Sequence, residues 1–108
     1  MLTYKSSEDF KKMIKAGKVV SNIHYEIFNK TKPGMMLKDL DNIAKNIIEI
    51  SNVNSSFFGY TPPGHGPYPA YICASHNDAI VHGIPNDTRI QEGDIISIDV
   101  GVSYEGYH

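Results

Sequence analysis

The chain has little of what marks several large classes of protein. It holds one cysteine, Cys73, among 108 residues. A single thiol excludes an internal disulfide and a Cys-rich zinc site, and it fits a reducing compartment. No apolar run approaches the roughly 18 residues that a membrane span takes. The opening stretch MLTYKSSEDFKKM lacks the apolar segment of a secretory signal, so the expected location is cytoplasmic. Charge of neither sign is in excess. Ten Lys and Arg face twelve Asp and Glu, for a net charge of −2. Neither nucleic acid nor a membrane surface is therefore expected as a partner. There is no internal repeat, low-complexity tract or linker. None of the five histidines falls in HExxH or another tight metal spacing. What remains reads as a soluble globular chain, long enough for one domain with a modest core.

The pattern along the chain predicts an α+β unit. Ser6-Ser7-Glu8-Asp9 reads as a helix start, because a serine can cap free amides and acids favour the positive end of the helix dipole. Phe10, Met13, Ile14, Gly17, Val20, His24, Ile27 and Phe28 follow at helical steps, which predicts a helix over roughly 7–29 with that face inward. Gly17 on this face is expected to mark close packing. Lys32-Pro33-Gly34 breaks the helix by turn chemistry. Leu37, Leu40, Ile43, Ala44, Ile47 and Ile48 predict a second helix over about 36–51, packed on the first. Met35 and Met36 read as gap-filling core residues.

After Val53 the period changes. Asn54 to Phe58 reads as a short strand. The stretch from Gly59 to Pro69 is dense in glycine, proline and aromatic rings. That composition fits an irregular loop, and it also fits the wall of an apolar pocket. Tyr71–Ala74 and Ala79–His82 read as two strands of a hairpin across Ser75–Asp78. Tyr104-Glu105-Gly106 reads as a further turn, with Tyr107-His108 starting a returning strand. That strand's absence is expected to leave an unpaired edge open to another chain.

The stretch that organises the rest is Ile95–Val102. Ile96, Ile98, Val100 and Val102 share one face of an extended segment, and Ile95, Ser97, Asp99 and Gly101 share the other. Aspartate is uncommon in strands, and a carboxylate among apolar groups is costly unless paired or bound to metal. Asp99 is thus a candidate ligand for a hard cation. A strand with one face in water is the other reading. One carboxylate does not make a site, since a metal centre takes three or more protein ligands.

At His82-Gly83-Ile84-Pro85, Glu92-Gly93-Asp94-Ile95, Ile98-Asp99-Val100 and Gly106-Tyr107-His108, the sequence resembles the type I methionine aminopeptidases. Tyr68-Pro69, Cys73, Ser75 and Asn77 lie in the same order, as do Lys12-Met13, Ala16-Gly17 and Lys32-Pro33-Gly34 earlier. The resemblance covers nearly all of the chain, and HGIP followed at this distance by EGDI and IDV is specific. It implies the N-terminal half of a pita-bread fold, with two helices packed on an antiparallel sheet and residues 1–108 forming one partial domain. The implied activity is metal-dependent removal of the initiator methionine from nascent proteins.

The resemblance further implies a site with two divalent ions, of Co, Mn, Fe or Zn. Asp99 matches the first carboxylate ligand. His82 matches the histidine beside the scissile peptide, and it both binds substrate and acts in catalysis. Asn77 and Ala79 match positions whose backbone carbonyls hold a monovalent cation. Tyr60, His65, Tyr68 and Cys73 match or neighbour the pocket for the methionine side chain. The pattern continues after His108 with Gly-Asp, and the remaining ligands belong to the second half. This chain is therefore expected to need a complementing C-terminal half, and association with the ribosome goes with such a substrate. A non-catalytic protein-binding module and an inactive truncated remnant are the alternatives.

Overall fold

The computed structural model describes residues 6–64, 66–77 and 83–108. Helix α1 runs Ser7–Lys30 and helix α2 Leu37–Ile50; the strands are β1 Asn54–Ser55, β2 Ile72–His76, β3 Ile96–Val100 and β4 Val102–Ser103. The start of α1 is fixed by a reciprocal cap. Asp9 N–H donates to Ser6 Oγ at 3.1 Å and Ser6 N–H donates to Asp9 Oδ2 at 2.8 Å, which satisfies two amides that the helix itself leaves free. At α2 the carboxylate of Asp39 accepts from Met36 N–H at 2.8 Å.

The core lies between the two helices and the strands. Ile23 of α1, Leu40 of α2, Ile72 of β2 and Val102 of β4 are its largest fully buried side chains. On α1 the inward face differs in part from the expected one: Ile27 is buried and Val20 packs on the core as expected. Ala16, Val19, Ile23 and Ile27 are buried, whereas Phe10, Ile14 and Phe28 are 52%, 56% and 83% exposed. A Cβ on Gly17 would meet nothing within 4 Å, so this glycine marks no close approach. The helix carries two interleaved apolar stripes, and the slimmer one faces α2 and β4. The α2 face is as expected, with Leu37, Leu40, Ala44 and Ile48 buried.

The strands form two antiparallel pairs, β1 with β4 and β2 with β3. Cys73 stands directly across from Asp99, with Ile72 across from Val100 and Ala74 from Ile98. β2 is buried on both faces. Ile72 and Ala74 meet the core, while Cys73 and Ser75 point to the opposite side of the strand. In β3 exposure alternates as the period-two reading requires. Beyond β4, Tyr104 and Tyr107 exchange both backbone bonds, at 2.7 and 3.0 Å. Between them Glu105 and Gly106 both have positive φ, 49° and 85°, the geometry of a tight hairpin turn whose twist matches its flanking strands. The expected partner of β2 across Ser75–Asp78 was Ala79–His82. Residues 79–82 lie outside the described residues, and the partner observed for β2 is β3.

Candidate functional site

A cavity of about 710 Å³ opens on the face of β2 and β3 turned away from the helices. Phe57, Tyr60, Tyr68, Cys73, Ile84 and Asp99 line it, together with prolines 62, 67 and 69 and Gly66. The loop between β1 and β2 builds most of the wall. Its base is closed by two backbone bonds, Gly59 N–H to Tyr68 O at 2.9 Å and Tyr68 N–H to Tyr60 O at 2.8 Å. The Phe57 and Tyr68 rings meet edge to face at 6.1 Å. Prolines fix the backbone on either side of Gly66 and leave few amides to be solvated. The glycine and proline density of this loop therefore serves a wall.

Asp99 owes its place to the register of β3 on β2. Paired residues across a ladder point to the same face, so the Asp99 carboxylate lies on the Cys73 side. Asp99 is exposed, and among the described residues no hydrogen bond or ion pair holds its carboxylate. Cys73 is buried. The Tyr68 hydroxyl donates to Ile72 O at 2.8 Å and lies 3.3 Å from Cys73 Sγ. Burial, with the Cys73 thiol beside it, pushes the Tyr68 phenol well above its ordinary value. The chemistry of the pocket is apolar and soft, with one hard anionic oxygen donor at its edge.

Of the residues singled out from sequence, the structure gathers Asp99, Tyr60, Tyr68 and Cys73 on one cavity. Asn77 stands apart, at the end of β2, with a left-handed backbone of φ 52°. His65, Ala79 and His82 lie outside the described residues. Phe57 and Ile84 also line the cavity. Phe57 had a signal, as an aromatic residue at the edge of the Gly/Pro loop. Ile84 follows Gly83 in HGIP and gave none as a wall residue. Among the described residues no three or more His, Cys, Asp or Glu side chains come together to hold a metal ion. The residues present fit a metal only in part. Asp99 offers one suitable ligand, and the others would have to come from beyond the described residues.

Against this geometry the comparisons with known proteins fall into place. Residues 9–108 match the metallopeptidase family M24, and the chain belongs to that family. Within it, the chain is 38% identical over 104 residues to a methionine aminopeptidase of Aquifex aeolicus, covering 94% of this chain and 40% of that protein. It is 38% identical over 108 residues to methionine aminopeptidase 1 of Bacillus subtilis, covering 100% of this chain and 42% of the relative. The crystal structure of a methionine aminopeptidase from Thermotoga maritima superposes with a TM-score of 0.87 at 34% identity, over 97% of this chain and 41% of that one. Escherichia coli aminopeptidase P shares the fold at a TM-score of 0.77 and 21% identity. The chain thus has the architecture of part of a pita-bread protein. It spans about 40% of the length of the curated relatives it matches.

Proposed function

We propose that this chain is the substrate-pocket side of a metal-dependent methionine aminopeptidase, and that its activity needs the remainder of the fold. The observation that carries this reading is the Asp99 carboxylate, the one carboxylate among the described residues that line an apolar cavity walled by Tyr68, Cys73 and Phe57. A cavity of this size takes an unbranched thioether side chain with room for the start of a peptide, and pockets of such composition bind by apolar burial. Membership of a metallopeptidase family supports divalent metal use, with Co, Mn, Fe and Zn as the candidates.

In this reading the methionine side chain lies against Tyr68 and Cys73, Tyr60 closes the outer wall, and His65 is a further substrate-binding residue. Asp99 is one ligand of a two-ion centre. A pair of divalent ions, when bound, supplies a nucleophile from water and polarises the peptide carbonyl. His82 donates a hydrogen bond to the carbonyl oxygen of the scissile peptide as charge develops there. The carbonyls of Asn77 and Ala79 hold a monovalent cation at the start of the segment leading to His82. Initiator methionine on nascent chains is the substrate, which goes with a cytoplasmic location and with work near the ribosome. A complementing half supplies the other ligands.

The test is hydrolysis. This chain is assembled with the part of the Bacillus subtilis relative that it does not span, and release of methionine from a Met-Gly peptide is followed with Mn²⁺ and with chelator. Metal-dependent release is expected, with Tyr68→Ala raising KM for a Met-initiated peptide about tenfold or more through lost pocket contact. An assembly that forms but releases no methionine would sink the reading. It would favour the binding-module alternative.

A further inference from the structure

The second apolar stripe of α1 is turned to solvent. Phe10, Ile14, Tyr25 and Phe28 are each more than half exposed, and Gly17, Ser21 and His24 are exposed among them. At 3.6 residues per turn, positions 10, 14, 17, 21, 25 and 28 fall within about 80° of one another. They lie on the side of the helix opposite Ala16, Val19, Ile23 and Ile27, which are buried. From Phe10 to Phe28 the stripe runs about 27 Å. Exposed apolar patches of this extent commonly mark interaction sites.

The stripe is large at both ends and small in the middle. A Cβ on Gly17 would meet nothing within 4 Å, so the middle is open to the close approach of another helix. The order is also the same read from either end. Phe10 and Phe28 are equally far from Val19 along the chain, as are Gly17 and Ser21. Ile14 and His24, the neighbour of Tyr25, are placed in the same way. A two-fold interface requires this self-complementarity, because each patch meets its own copy. A different partner protein would require no such symmetry. A lipid surface takes a continuous apolar face, which Gly17 and Ser21 interrupt here. At about 200 Å² for a whole large side chain, the four large residues offer about 500 Å² per copy. Two copies with their rims bury about 1,000–1,300 Å², at the low end for specific interfaces.

We propose that this stripe packs against the same stripe of a second copy of the chain, with the two α1 helices antiparallel. Phe10 of one copy then meets Phe28 of the other, and Gly17 meets Ser21. An area at the low end gives a weak dimer, with a Kd of about 10–100 µM, so low-micromolar samples remain single copies. The stripe faces away from the core, and the cavity opens on the face of the sheet turned away from the helices. The inference therefore does not rest on the peptidase reading.

The experiment is analytical ultracentrifugation of the full chain from about 1 to 500 µM, a range set to bracket that Kd. The parent is expected to pass from one copy to two. Gly17→Arg is expected to raise Kd more than tenfold while keeping the fold, since the site is open and arginine suits a helix better than glycine. Phe10→Glu and Phe28→Lys should each weaken the dimer. Their mixture should associate about tenfold more tightly than either alone, because one Phe–Phe contact returns and the other becomes an opposite-charge pair. No gain on mixing would overturn the antiparallel pairing, and a dimer untouched by Gly17→Arg would overturn the proposed surface. A chain that stays monomeric throughout would overturn the inference altogether. In that case, assembly with the unspanned part of the Bacillus subtilis relative that is weakened by Gly17→Arg would give the stripe to the complementing half, and pelleting with phosphatidylglycerol vesicles would give it to a membrane surface.

Discussion

Asp41 joins the helical layer to the strand that carries Cys73. Its Oδ1 accepts from Tyr71 N–H at 2.7 Å and from Ile72 N–H at 3.0 Å, which closes the start of β2 against α2. Burial pushes its carboxyl above the ordinary 3.8, and the two amides only partly offset this. A carboxyl whose folded pKa is raised binds a proton more readily in the native chain than in the unfolded one. Stability therefore falls as pH rises from about 4 through the folded pKa. Asp41→Asn keeps the acceptor and removes the charge, so urea midpoints of this variant should lack that fall and should equal or exceed the parent at pH 7. Asp41→Ala leaves two amides unpartnered and should cost about 2–4 kcal/mol in the same titration. Nothing in the sequence marks Asp41, because its partners lie thirty residues away and no local spacing encodes them. Asp99 is the opposite case. An acid in a β-branched run breaks a local rule, and the break is legible in the sequence alone. Legibility at this scale depends on whether the constraint is local.

At the scale of elements, periodicity locates the parts and leaves some orientations open. Both helices and the β3 strand follow from spacing, since burial on one face imposes a period of 3.6 or 2 on the chain. The face of α1 does not. Phe10, Ile14 and Phe28 repeat at helical steps as well as Ala16, Val19, Ile23 and Ile27 do, and what decides between them is the shape of α2 and β4. Ala16 and Val19 allow close approach where bulkier rings would not. The consequence is measurable. Ile23→Val, at a side chain with no exposed surface, should lower unfolding free energy by about 1 kcal/mol. Phe28→Ala removes a far larger group from an 83% exposed position and should change it by less than about 0.5 kcal/mol. The reverse order in paired urea titrations would mean that the Phe10–Phe28 stripe is the buried one. The loop from Gly59 to Pro69 is legible as a loop because turn residues announce themselves. Its composition fits a plain loop and a pocket wall alike, and its return across the Cys73 face of β2 decides for the wall.

For the molecule as a whole, the proposed half-site is the central claim. The chain spans about 40% of its relatives, carries one exposed carboxylate on an apolar cavity, and brings together no three-ligand cluster among its described residues. A lone carboxylate binds a divalent ion weakly, because affinity comes from several ligands held in one geometry. The most direct test of the account is therefore native mass spectrometry with Mn²⁺. It is applied to the chain alone and to the chain assembled with the unspanned part of the Bacillus subtilis relative, each with Asp99 and with Asp99→Ala. The account predicts two retained ions in the Asp99 assembly, loss of metal in the Asp99→Ala assembly, and no retained ion on the chain alone. Two ions retained in the Asp99→Ala assembly would contradict it.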